Sequence, residues 1–149
     1  MEESFTLKGE DANYLKVKLS KVYDFPEKIC RWGGYDSLAE LTVKCGGYMV
    51  QSTFQTSTGD IFSFYEQLRE CNAKLKGTPN FNSYESNLTF SLTYDDLGHV
   101  QISGEFSEDL AADNRLQFSF LSDQSFMRYT LDELERIICK FGDLKGFSK

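Results

Sequence analysis

His99 is the only histidine in the chain, so a two-histidine mechanism is excluded by count. It follows Asp95-Asp96-Leu97-Gly98, and a place in a hairpin turn is that of a solvated residue rather than of a general base. Asp95 and Asp96 are a pair of carboxylates of the type that does acid–base work, but neighbours on a turn rarely converge on one substrate. The same run lacks the oxygen-ligand spacing of a calcium loop, with no glutamate at its twelfth position. No phosphate-cradling glycine loop is present, since GxGxxG after a strand and the Walker pattern are both missing. Cys30, Cys45, Cys71 and Cys139 are far apart, which signals neither a zinc site nor a catalytic thiol pair; reduced, incidental thiols are expected. An enzyme is therefore not expected, and no cofactor or metal is implied.

Charge is more informative. The formal net charge is −7, and all of it lies in one quarter of the 149 residues. From Gly77 to Asn114 there are seven acids and no Lys or Arg, while the rest of the chain carries 16 acids and 16 bases. Glu85 is one of the seven; the others, Asp95, Asp96, Glu105, Glu108, Asp109 and Asp113, fall in the stretch Tyr94 to Asn114. Phosphate contacts need clustered Lys and Arg, so nucleic acid is a poor partner, and an anionic membrane surface is equally poor. Such a field would speed the capture of a basic protein and reject wrong partners. The plainer reading is a solvated, solubility-giving surface. Trp32 is a second candidate: it lies in Cys30-Arg31-Trp32-Gly33-Gly34-Tyr35, read as a loop with a Gly-Gly turn, whose Trp, Arg and Tyr are types enriched at binding hot spots. Its plainer reading is packing against a sheet end.

These residues must be positioned by a β-rich domain. Hydrophobic residues make up 40% and aromatic residues 15%, with 13 Phe and 8 Tyr against a single Trp, as a globular chain requires. One domain over 1–149 is expected. Leu15, Val17 and Leu19, then Ala39, Leu41, Val43 and Cys45, alternate with polar residues at the period of a half-buried strand. Gly46-Gly47 turns the chain into Tyr48, Val50, Ser52 and Phe54. Leu88, Phe90, Leu92 and Tyr94 form a second hairpin with Val100, Ile102, Gly104 and Phe106; Leu116, Phe118 and Phe120 follow, and a short strand near Phe5 to Leu7 opens the chain. Ser57 with Asp60 caps a helix carrying Ile61, Phe64, Leu68 and Leu75, which Gly77 ends. Thr130-Leu131-Asp132-Glu133 reads as the capping box of a last helix with Leu134, Ile137, Ile138 and Phe141 on one stripe, stopped by Gly142. The fold class expected is α+β: one antiparallel sheet of about six or seven strands with two amphipathic helices packed on one face.

The opening MEESFTLKGEDANYLKV carries no secretory leader, and no apolar run is long enough to span a membrane, so a cytoplasmic protein is expected. In succession, Phe5 to Pro26 (FTLKGEDANYLKVKLSKVYDFP), Tyr35 to Ser37, Phe62 to Leu68 (FSFYEQL), Leu97 to Phe106 (LGHVQISGEF) and Asn114 to Phe126 (NRLQFSFLSDQSF) cover nearly the whole chain. With that order and spacing the chain resembles the WapI-type immunity proteins, small bacterial proteins that neutralise toxin domains delivered between competing cells. Family members often carry a tryptophan shortly after the Tyr-Asp motif, whereas here Trp32 precedes Tyr35-Asp36. The resemblance implies tight, non-catalytic binding of a cognate toxin, in well-known cases a ribonuclease acting on transfer RNA. A nuclease must hold phosphate, so its cleft is basic, and the acidic hairpin is a natural complement. The alternative is a cytoplasmic acidic binding or adaptor module of unknown partner, its acidity serving only solubility.

Overall fold

The computed structural model describes residues 2–148. The chain runs through four strands and a helix, then four strands and a helix again. The first set is β1 (Ser4–Lys8), β2 (Tyr14–Val22), β3 (Asp36–Cys45), β4 (Tyr48–Ser57) and α1 (Thr58–Lys74). The second is β5 (Asn80–Asn82), β6 (Leu88–Tyr94), β7 (His99–Asp109), β8 (Asn114–Asp123) and α2 (Gln124–Phe141). Each set of strands is an antiparallel sheet in sequential order, β1-β2-β3-β4 and β5-β6-β7-β8.

The single sheet of six or seven strands is thus corrected to two sheets of four. The alternation was sound: Leu15 pairs with Val43 and Val17 with Leu41 in the first sheet, Leu92 with Ile102 and Ile102 with Phe120 in the second. A period of two fixes which face is apolar, but not which strands are neighbours. The eighth strand, β5, is three residues long and too short to show alternation.

Nor do both helices lie on one face of one sheet. They pack on each other, and each runs along the first strand of the other half: α2 beside β1, α1 beside β5. Both strands are sheet edges, and an edge leaves backbone groups without partners. The helices supply them. On β1, the Thr6 N–H donates to Glu133 Oε1 at 3.0 Å and the Thr6 carbonyl accepts from the Thr130 hydroxyl at 2.6 Å. On β5, the Asn80 N–H donates to Gln67 Oε1 at 3.1 Å, and the Asn80 carbonyl accepts from Gln67 Nε2 at 3.2 Å. A helix seated on each edge stops the sheet from growing there.

This also corrects the start of the last helix, which begins at Gln124 rather than at Thr130. Thr130 and Glu133 share the spacing of a capping box because both lie on one helical face, but that face serves β1. The expected box of α1 is present, with Ser57 Oγ accepting from the Asp60 N–H at 3.0 Å and Asp60 Oδ2 accepting from the Ser57 N–H at 3.2 Å.

One cluster of buried side chains draws on both sheets and both helices. Phe64 of α1 stands at its centre, with ring centroids 5.9 Å from Phe5, 6.1 Å from Phe81 and 5.1 Å from Phe90. Phe54 of β4 meets Phe106 of β7 at 6.4 Å, closing the sheets together at one end. No helix among the described residues is long and apolar enough to cross a membrane.

Candidate functional site

The Trp32 loop is pinned at both sides by backbone. Cys30 N–H donates to the Gly34 carbonyl at 2.7 Å, Gly34 N–H to the Leu144 carbonyl at 2.9 Å, and Tyr35 N–H to Thr58 Oγ1 at 2.8 Å. Gly34 has φ +66°, and a Cβ there would stand 2.3 Å from Thr58 Oγ1 and 2.5 Å from the Gly59 nitrogen. Only glycine lets the loop press this closely on the start of α1. Trp32 is turned outward, 47% exposed.

Its ring is stacked on Tyr84, centroids 5.3 Å apart and planes at 9°, with the Arg31 guanidinium 5.0 Å from the indole centroid. Tyr84 is held in turn. Its hydroxyl donates to Asp36 Oδ1 at 2.7 Å and its N–H to Asp60 Oδ2 at 3.2 Å. Burial, and then the Asp36 carboxylate, push the Tyr84 phenol above its ordinary range, so it stays a donor. Asp60 also accepts from the Thr56 hydroxyl at 2.9 Å. Burial raises the Asp60 carboxyl above its ordinary value, outweighing the Thr56, Ser57 and Tyr84 donors that favour its charge. The result is an aromatic platform held in place by its own hydrogen bonds.

The acidic residues divide between two ends of the second sheet. At one end, Asn87 clasps β7: the Ser107 N–H donates to the Asn87 carbonyl and Asn87 Nδ2 to the Ser107 carbonyl, both at 2.9 Å. The register slips between Ser107 and Asp109, and this bulge aims Glu108 at β4, where it accepts from Ser52 Oγ at 2.8 Å. Asp109 Oδ1 accepts from the Ala111 N–H at 2.9 Å in the following turn, and Asp113 is exposed there. Glu85 is exposed beside Tyr84. Among the described residues, Glu85, Glu108, Asp109 and Asp113 form no ion pair.

Glu105 differs, because Arg115, one residue beyond the base-free stretch, reaches it at 3.0 Å across β7 and β8. Asp95 and Asp96 lie at the other end of β7, whose 11 residues span roughly 33 Å. Burial works against the Asp95 charge, but the N–H groups of Leu97 and His99 and the His99 ring together hold its carboxyl below the ordinary value. Asp95 is thus engaged by its own turn. The structure therefore brings Trp32 to the end that carries Glu108, Asp109 and Asp113, through Tyr84 and Asn87, and leaves Asp95 and Asp96 apart. Tyr84 had no signal in the sequence, since it meets Trp32 across more than fifty residues of chain.

A groove of about 860 Å³ lies elsewhere, between Glu2, Glu3 and α2. Three of its carboxylates are engaged: Glu3 pairs with Lys140, Glu2 with Lys16 and Lys18, and Glu133 with the Thr6 amide. Among the described residues no group of three or more His, Cys, Asp or Glu is arranged to hold a metal ion. The four cysteines are free thiols, and burial pushes Cys30 and Cys71 up from their ordinary value. No curated protein and no solved structure matches the chain. The model of the immunity protein WapI-like family, by contrast, matches residues 6–142, from β1 through the whole of α2. The chain belongs to the WapI-like immunity protein family.

Proposed function

We propose that the protein is a non-catalytic immunity protein of the bacterial cytoplasm that binds a basic toxin domain, a nuclease such as one cutting transfer RNA, and neutralises it by occupying its surface. Family membership over residues 6–142 carries the first half of this reading. The charge distribution supports the second: a nuclease gathers cations around phosphate, and this chain gathers its whole net charge into a stretch with no cation. Binding, not turnover, is then the entire activity. Carboxylates near the rim set how fast the toxin is captured, and those desolvated on docking set how long it is held.

The test is protection. A gene directly upstream ending in a small toxin domain is expected, and that domain is expressed under an inducible promoter with and without this chain. Rescue of growth, with a complex that survives size exclusion, is the expected result. No rescue and no complex would reject the reading. RNA cleavage by the domain alone, abolished by an equimolar amount of this chain, tests the nuclease part separately.

A further inference from the structure

Large apolar side chains are exposed around Trp32 in greater number than one loop explains. Ile29, Leu144 and Phe147 are 44%, 45% and 43% exposed. They adjoin because the chain end folds back on the Trp32 loop: Leu144 packs at Gly33, Ile29 at Gly146, and Phe147 lies 6.2 Å from Phe25. With Trp32 on Tyr84 they gather exposed apolar side chains around one loop, and clustered apolar surface is the type that marks an interaction site. Stable interfaces have this anatomy, an apolar centre with Trp, Tyr and Arg anchors inside a charged rim.

Lys28, Arg31 and Lys145 are exposed around the loop itself, whereas the side toward the second sheet is acidic and identifies the occupant. Glu85 follows Tyr84 directly, and Asn87 ties the same loop to Ser107, beside Glu108 and Asp109. Ser52, which holds Glu108, is five residues from Ser57 at the foot of the platform, about 17 Å along a strand. One side of an ordinary interface covers about 800 Å², roughly 30 Å across, so it reaches from Trp32 to Glu108. It does not reach Asp95 and Asp96 as well.

Resting on the immunity reading, we propose that the toxin docks on this one end of the molecule, an aromatic patch centred on Trp32 with Glu85, Glu108 and Asp109 as its acidic sector. The partner surface it fits is basic, with lysines or arginines around an apolar or aromatic side chain that covers Trp32. The far-end pair Asp95 and Asp96 takes no part.

Calorimetry with the upstream-encoded domain as probe decides this at 150 mM salt, where the Debye length is about 8 Å and distant charges are screened. Trp32→Ala should weaken binding about thirtyfold or more with the salt dependence unchanged. The triple variant Glu85→Lys, Glu108→Lys, Asp109→Lys should weaken binding and flatten its salt dependence. Asp95→Lys with Asp96→Lys should bind within about threefold of wild type. The triple variant touches only exposed side chains, so it reports even if Trp32→Ala loosens the loop. Wild-type affinity in both the Trp32 and the triple variants, or a loss confined to the Asp95 and Asp96 variant, overturns the surface while leaving the immunity function standing. Failure of the wild-type chain to bind the probe overturns both.

Discussion

Asp60 joins the cap of α1 to the aromatic platform, and burial sets its protonation. Its carboxyl is raised by loss of water while three donors resist the rise. A raised native value means that the folded state holds the proton more tightly than the unfolded chain does. The stabilisation from this group is therefore full below the ordinary value of 3.8 and is lost as pH rises through the native value. Wild type should gain stability relative to Asp60→Asn as pH falls through that window, as measured by urea unfolding at a series of pH values. The Asp60 carboxyl resonance should titrate above its ordinary value, and that of Glu70, hydrogen-bonded by Lys74, below. Gly34 is the other residue with a sharp expectation. Gly34→Ala meets both a left-handed φ and backbone at 2.5 Å, so the Trp32 loop must lift. Emission from the single tryptophan should shift to the red as the stack on Tyr84 is lost. The Gly33-Gly34 pair was legible as a turn, but the surface it presses on was not, because that contact depends on where α1 begins.

Two helices that each cover the edge of the other half tie the molecule together. Thr130→Val keeps the shape of a fully buried side chain but removes the donor to the Thr6 carbonyl, at a cost of about 1–3 kcal/mol. Gln67→Ala opens the equivalent bonds at Asn80, which lie exposed; water can replace them there, so about 1 kcal/mol or less is expected. Chemical denaturation should rank the two variants in that order, and hydrogen exchange at Asn80 should quicken only in the second. Phe64→Ala, which vacates the place where both sheets meet α1, should cost about 3–5 kcal/mol. The elements themselves were largely readable, since alternation marks seven of the strands and the spacing of Ile61, Phe64 and Leu68 marks α1. What the pattern could not distinguish was a Thr and Glu three apart serving a helix start from the same pair serving a neighbouring strand. The number of sheets was hidden for the same reason: it is decided by which edges the helices cover.

At the scale of the whole molecule, the charge asymmetry visible along the chain survives folding in part. Glu85, Glu108, Asp109 and Asp113 share the Trp32 end, Glu105 is met by Arg115, and Asp95 and Asp96 stand at the far end of β7. Composition could show that the acids lack bases in sequence; only the registers of β6, β7 and β8 decide which of them share a surface. The proposed role of this surface is to capture a basic protein and hold it without chemistry. Trp32, the one tryptophan and the centre of that surface, is the natural reporter. In stopped-flow mixing with the upstream-encoded toxin domain, its fluorescence should change on binding. The association rate should fall steeply as salt rises from about 10 mM, where the Debye length is about 30 Å, to 1 M, where it is about 3 Å. Association that is equally fast at every salt concentration, with no change in Trp32 emission, would contradict the claim.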